Sequence, residues 1–442
     1  MTVIPLIQGY AASSPFAYRE RRAVSVDDFL SDVSQLAARL PDRGHVLNRC
    51  ADRYRFAVGL AASLLRGQVS LLPPNETPDL IAQLAGQYRD VYCLTDTSGT
   101  PAGLETLPFP TLAAGGSARL EIPTVPADQV AAILFTSGST GQHLPFPKTW
   151  GSLARSALAE IDGLGLRAQG GLSVVGTVPP QHSYGLESTV LMVMQGGLAL
   201  HAGRPFYPAD IRAELAALPR PRCLVTTPTH LRVLLAEPDE LPPTDFLVCA
   251  TAPLSPQLAA LAEARFAGPL HEIYGCTEAG QVAVRRTVQT NEWRALPDVA
   301  FRAEPDGTWV SGGHVETDVL LADVIELRSS TRFLLHGRTA DLVNIAGKRT
   351  SLAHLNYHLN SIEGVRDGVF VVPEAEGDAV ARLMAFVVAP GQTTEGLMHA
   401  LRQRIDPVFL PRPLCIVETL PRSETGKLPR HALKKIAAGL GL

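Results

Sequence analysis

At 442 residues, 46% of them hydrophobic and 19% charged, the chain has the make-up of a globular protein too long for a single core, so two or more domains are expected. A formal net charge of -4 without a basic stripe excludes a general nucleic-acid binder. Six cysteines with no C-x-x-C spacing exclude a patterned zinc site or a disulfide framework. No run of about 18 apolar residues offers a membrane span, the start Met1–Tyr10 lacks the marks of a signal peptide, and a cytoplasmic protein is expected.

In the first hundred residues helix and strand signals alternate. Phe29, Leu30, Val33, Leu36, Ala37 and Leu40 form one stripe at helical spacing. A second apolar helix is expected over 56–65, short strands at 69–73 and 91–95, and a further helix over 79–88. This alternation predicts an α/β domain with a largely parallel sheet, whose ligands gather at the carboxyl ends of the strands. Residues 96–127, rich in Gly, Pro and Ala, read as a connecting segment on the surface.

The apolar run 130–134 reads as a buried strand that delivers Phe135-Thr-Ser-Gly-Ser-Thr-Gly141. Every residue past Phe135 there is small or hydroxylated. Consecutive N–H groups together with Ser and Thr hydroxyls can converge on phosphate oxygens; a polar turn between two strands is the plainer alternative. No Gly-Lys-Ser/Thr closes the loop, so it is not the ordinary phosphate loop of kinases and NTPases.

Further on, helices are expected over 151–164, 188–195, 208–217, 228–237 and 255–266. Strands are expected at 172–178, 197–201, 223–226, 246–249 and 270–273, each ending in a small or polar turn. Three of those turns stand out: Pro179-Pro-Gln-His-Ser-Tyr-Gly185, Ala250-Thr-Ala-Pro253 and Tyr274-Gly-Cys-Thr-Glu-Ala-Gly280. Short strands follow from Val282. A mixed unit of roughly 100 residues then fits a second domain, which divides the chain into 1–337 and 338–442.

Five segments resemble, in order, the signature blocks of the adenylate-forming superfamily, which includes acyl-CoA synthetases, aryl-CoA ligases, luciferase and the adenylation domains of peptide synthetases. They are Phe135–Gly141 with Lys148, Tyr274–Glu278, Asp323, Gly337-Arg338, and Pro421–Arg430 with Lys427. The resemblance implies a large N-terminal α/β domain of mixed and parallel sheets with helices, and a small α+β C-terminal domain carrying a catalytic lysine. It further implies that a carboxylate attacks the α-phosphate of ATP, pyrophosphate leaves, and a thiol displaces AMP from the acyl-adenylate.

By that likeness Thr136, Ser137, Gly138, Ser139, Thr140 and Gly141, with Lys148, would hold the β- and γ-phosphates. Thr277 would contact the α-phosphate and Glu278 would supply a carboxylate to Mg²⁺. Asp323 and Arg338 would take the ribose. Tyr274, Gly275 and Cys276 on one side and Thr251, Ala252 and Pro253 on the other would flank adenine. Lys427 would bridge the reacting carboxylate and the α-phosphate. His182, Tyr184, Gly185, Thr227, Ala250 and Gly280 would line the acid pocket. The hinge would fall at Ala340 or Asp341.

Three positions depart from the family pattern. Six residues separate Gly141 from Lys148 where two are usual, with Pro145 and Pro147 stiffening the arm, which would set the lysine further from the phosphates. Glu272 stands where many members have Asn for the adenine amino group, and Ala340 stands at the usual hinge position. The compact chain and stretched loop look most like small bacterial ligases that load aryl acids onto acyl carrier protein in aryl-polyene and xanthomonadin-type pathways. The cofactors implied are ATP and Mg²⁺, with coenzyme A or carrier-protein phosphopantetheine as thiol acceptor. An inactive nucleotide-binding homologue is the alternative of a different class. The cations Lys348, Arg349, Arg422, Lys427, Arg430, Lys434 and Lys435 would suit an acidic carrier protein or the phosphates of coenzyme A.

Overall fold

Two sheets with helices packed against them carry most of the chain in the computed structural model, which describes residues 2–10, 14–75, 77–99, 103–113, 121–137, 143–168, 171–338, 342–345, 348–372, 383–422, 428 and 430–440. The first sheet has six strands in the order His143–Thr149, Val130–Ser137, Val69–Leu72, His45–Asn48, Val91–Thr95 and Glu105–Pro108. All neighbours in it are parallel except the first pair. The second has eleven strands. Its parallel centre runs Leu270–Cys276, Phe246–Cys249, Arg222–Thr226, Ser173–Gly176, Ala199–His201 and Pro15–Arg19. Antiparallel strands extend it on both sides, ending on one side in Arg332–Arg338 and Asp323–Ser329.

Local chemistry explains the helices that brace these sheets. The predicted stripe becomes the helix Val26–Ala37, with Phe29, Leu30, Val33 and Leu36 buried. The helix starts at a capping box in which Ser25 and Asp28 satisfy each other's backbone N–H groups. Thr149 caps Trp150–Leu164 through the Ser152 N–H, and Thr227 caps Pro228–Ala236 through the His230 N–H.

The small C-terminal unit has its own core, in which Leu355, Leu359, Phe370, Ala385, Val387, Leu397 and Leu401 pack together. That core joins the helices Leu352–Asn360 and Thr394–Arg402 to the sheet Asp367–Val371, Met384–Val388 and Leu414–Ile416.

Two expectations are corrected. Residues 96–127 are more than a connection: Glu105–Pro108 pairs with Val91–Thr95, and Thr124–Pro126 pairs with Val3–Pro5. Both are short edge strands containing proline, which lacks the N–H an interior strand must donate and so escapes a periodicity reading. Likewise the strand at 270 does not stop at Ile273 but continues through Cys276, so Tyr274-Gly-Cys belongs to a hairpin with Gly280–Arg285.

Candidate active site

The parallel register brings three of the singled-out turns to one edge. Thr226 lies opposite Cys249, and Cys249 lies opposite Glu272. Thr227, Ala250–Pro253 and Tyr274–Cys276 therefore emerge side by side at the carboxyl ends of adjacent strands, where a ligand is expected in an open α/β sheet. Tyr184 reaches the same edge from the segment after Pro179, its hydroxyl 3.1 Å from both the Thr226 and the Val248 carbonyl oxygens. Thr251 holds φ at +81°, a left-handed conformation that is uncommon outside glycine.

Tyr274 is largely buried, its ring packed on Trp293 and Phe333 with centroids 5.7 and 5.6 Å away. Its hydroxyl donates to Asp323 Oδ2 at 2.7 Å. Asp323 in turn is the Cα partner of Arg338 across the antiparallel ladder. Two residues 15 positions apart in sequence and predicted to share one ribose thus occupy facing positions. Gly337, next to Arg338, has φ +113°, and a Cβ there would come within 2.6 Å of Ala353 Cβ and 2.8 Å of Ser351 Oγ. Only glycine permits the strand to pass so close to the start of the helix Leu352–Asn360.

The stretched loop proves to be the link of a hairpin. Thr136 and Ser137 end one strand opposite Leu144 and His143 of the next; Gly138, Ser139, Thr140 and Gly141 lie outside the described residues. Pro145-Phe-Pro147, expected to be a stiff arm, is part of that second strand, at the sheet edge where proline is tolerated. Lys148 lies against the Thr277-Glu278 turn. Its Nζ donates to the Glu278 carbonyl oxygen at 2.6 Å, which ties the loop's exit to the Thr277-Glu278 turn. Burial lowers the pKa of this ammonium, against the opposing pull of Glu187, Cys276, Glu278 and Glu316.

A cavity of about 340 Å³ opens here between Phe146–Thr149, Ser152, Glu278-Ala279 and His314–Thr317. His314, 1% exposed, presents two ring nitrogens that meet no partner in good hydrogen-bonding geometry among the described residues, although the Gln281 backbone lies beside the ring. Glu272 faces Arg285 across the hairpin. It is buried and paired with Arg285, with Nε at 2.7 Å, and accepts from the Thr287 hydroxyl as well. Its role is to neutralise Arg285, which also lies over the Trp293 ring.

Among the acid-pocket candidates, Thr227 is committed to its helix cap and to His230 Nδ1 at 2.9 Å. Gly185 is required by the backbone, because a Cβ there would collide with the Pro179 carbonyl oxygen. His182 precedes the short helical turn Ser183–Gly185, and Ala250 is buried at the strand end. Gly280, at φ +79°, closes the hairpin opposite Cys276. Burial pushes the Cys276 thiol up to about 12, so it stays protonated at neutral pH. The hinge candidates Ala340 and Asp341 and the catalytic candidate Lys427 lie outside the described residues. So do the side chains of Thr136, Ser137 and Arg338.

Behind the site lies a buried acidic pair, Glu187 and Glu160, of which sequence reasoning passed over Glu160. The signal was partial: Glu187 is the one carboxylate of the apolar run 186–194, whereas Glu160 shares its helix with Asp162. Among the described residues neither oxygen of Glu160 meets a donor in hydrogen-bonding geometry, although Ser188 and Gln281 lie beside it. Burial pushes its pKa from an ordinary 4.5 up to about 8.

Between those two values the folded chain holds a proton that the unfolded chain has released, so stability falls as pH rises across the window. The variant Glu160→Gln removes this dependence. Its denaturation midpoint should exceed that of the parent by a margin that widens from about pH 5 to pH 8 and then levels. A margin that stays constant across that range would show an ordinary carboxylate.

Comparison with known proteins agrees with this geometry. Residues 15–306 match the family model described as AMP-binding enzyme. A 4-coumarate–CoA ligase of Rhodobacter capsulatus is 29% identical over 305 residues, which cover 68% of this chain and 75% of the relative. A 3-hydroxybenzoate/4-hydroxybenzoate–CoA ligase of Thauera aromatica is 24% identical over 410 residues, 80% of this chain and 75% of the relative. The solved structure of the Bacillus subtilis O-succinylbenzoate coenzyme A synthetase in complex with AMP superimposes with a TM-score of 0.78 at 19% identity, covering 98% of each chain.

Proposed function

The chain belongs to the AMP-binding enzyme family, and on that premise we propose that it joins a carboxylic acid to a thiol in two steps driven by ATP. The acid's carboxylate attacks the α-phosphate, the bond to pyrophosphate breaks, and an acyl-adenylate forms. The thiol sulfur then attacks the acyl carbon and AMP leaves. The observation that carries this reading is the Tyr274–Asp323 hydrogen bond with Arg338 in register opposite Asp323. A carboxylate anchored by a phenol is fixed in orientation and suited to accept from ribose hydroxyls.

Reactions of this kind depend on positioning and on charge neutralisation. Lys148 brings a positive charge to the turn that bears Thr277 and Glu278. Glu278, half-buried with an oxygen-only donor group, fits a magnesium ion, which takes one or two carboxylates and completes its shell with phosphate oxygens and water. When bound, that ion would neutralise charge on the phosphates. The division at residues 337 and 338, with Lys427 supplied by the small unit, belongs to the same proposal.

An aryl acid of the hydroxybenzoate type is the favoured substrate, because relatives matching most of the chain are named for coumarate and hydroxybenzoate. The acceptor thiol is a phosphopantetheine on acyl carrier protein in our primary reading, supported by the cations of the small unit. Of these, Arg422 is already committed to Asp367 at 2.6 and 2.8 Å. Free coenzyme A is the second reading, favoured by the names of the same relatives.

Pyrophosphate release from Mg-ATP across a panel of aryl and fatty acids tests the first step, and silence across the panel would sink the proposal. Repeating the active pair with coenzyme A and with phosphopantetheinylated carrier protein decides the acceptor. Within this reading Tyr274→Phe should raise the KM for ATP about 10- to 100-fold, the worth of one hydrogen bond to a charged group. An unchanged KM would remove Asp323 from the ribose.

A further inference from the structure

Glu187 sits where three pieces of the candidate site meet, yet none of the chemistry above uses it. It is 2% exposed and lies in the widened helical turn Leu186–Leu191, a geometry found most often at functional positions. Its Oε1 accepts from Ser183 Oγ at 2.6 Å. Its Oε2 accepts from Ser156 Oγ at 2.8 Å and from the Gln281 backbone N–H at 3.2 Å. Among the described residues no arginine or lysine forms an ion pair with it. A buried carboxylate held by hydrogen bonds, with only the longer-range attraction of Lys148, is a costly arrangement that an apolar side chain would avoid.

What the carboxylate holds together explains its presence. Ser183 lies between His182 and Tyr184, the acid-pocket candidates. Gln281 follows Gly280, which closes the hairpin bearing Thr277 and Glu278. A Cβ on Gly280 would come within 3.3 Å of Glu187 Oε2, so this glycine lets the carboxylate approach the Gln281 N–H. The turn 276–280 is thereby gripped at two points, by Lys148 on the Glu278 carbonyl and by Glu187 on the Gln281 amide. The second grip runs directly into the acid-pocket segment.

We propose that Glu187 is a positioning residue for acid activation: through Ser183 and the Gln281 N–H it fixes the acid-pocket turn relative to the turn that carries Thr277 and Glu278. The proposal rests on the ligase reading, since it needs an acid and a phosphate to be set against each other. The contacts assigned to the nucleoside, through Tyr274, Asp323 and Arg338, do not pass through Glu187.

The test compares Glu187→Leu with Glu187→Gln in the full-length chain. Leucine fills the space without hydrogen bonds; glutamine keeps a carbonyl for the Gln281 N–H and can donate to Ser183. With an acid on which the parent releases pyrophosphate, Glu187→Leu should lower kcat about 100-fold, the scale of a misplacement near 1 Å. Its KM for ATP and its affinity for AMP should remain near those of the parent, and Glu187→Gln should recover most of kcat.

Parental kcat in the leucine variant would overturn the proposal. So would a glutamine variant as impaired as leucine, or a loss of AMP affinity in parallel with kcat. Should the leucine variant not fold, Ser183→Ala, which cuts the link to the acid pocket alone, must show the same fall in kcat at constant AMP affinity. A parent silent on every acid would instead refute the ligase reading itself.

Discussion

Arg53→Ala is expected to destabilise the large domain by about 3–5 kcal/mol, because it strips several buried carbonyls of a donor at about 1–3 kcal/mol each. Arg53 is fully buried at the start of the helix Arg53–Leu65. Its guanidinium spans the carboxyl ends of two neighbouring strands. One terminal nitrogen donates to the Gly203 and His201 carbonyls at 2.9 and 3.5 Å, the other to Gly176 and Val178 at 3.0 and 2.6 Å. A Cβ on Gly176 would stand 2.8 Å from that second nitrogen, so the strand end is shaped around the arginine.

No carboxylate pairs with it among the described residues; Asp52 contributes only a longer-range attraction. Burial and repulsion from Arg204 disfavour the proton, but a guanidinium stays charged throughout the working range of a protein. The charge is stabilised instead by carbonyl dipoles at the sheet edge. Removing it leaves those carbonyls buried without donors, which is why the loss should exceed that of a packing defect alone. Arg53→Met, which restores the packed volume but not the donors, should recover less than half of the deficit. Urea denaturation midpoints for the three proteins measure this, and a loss below about 1 kcal/mol in the alanine variant would show that the carbonyls find other donors.

The features legible in the sequence were those written locally. Apolar runs closed by small residues marked the parallel strands, and the spacing of Phe29, Leu30, Val33 and Leu36 marked a helix face. The hidden features depend on register or on long-range contact. The place of Lys148 could not be read by counting residues along the chain, because a count cannot reveal that the intervening residues pair as a hairpin with 130–137. Glu272 fell at an adenine position by alignment, but strand pairing places it directly opposite Arg285.

Arg53, Glu160 and Glu187 are charged residues buried in helices, and most partners of Arg53 and Glu187 are distant in sequence or are backbone groups. Periodicity treats such residues as defects in a pattern. Arg53 and Glu187 each mark a place where a helix is joined to a neighbouring element by polar contacts.

Lys427→Ala is expected to slow adenylate formation by about 100- to 1,000-fold, the range found when one preorganised donor to a developing charge is removed. Binding of AMP should persist, because the nucleoside contacts proposed here come from Tyr274, Asp323 and Arg338. Lys427 lies outside the described residues, but Arg422 lies within them. Five residues earlier, Arg422 donates to both oxygens of Asp367, and Asp367 also lies 3.7 Å from Arg232.

Arg232 belongs to the helix Pro228–Ala236, whose cap is the acid-pocket candidate Thr227. Arg422 is therefore tied across the two units to the element that would face the acid. Arg232→Ala breaks that tie without touching the lysine, so it should lower the rate of adenylation less than Lys427→Ala does. Single-turnover formation of acyl-adenylate, read beside equilibrium AMP binding, separates the cases. Undiminished adenylation in Lys427→Ala would remove this residue from the chemistry and leave neutralisation of the α-phosphate to Lys148 and the metal ion.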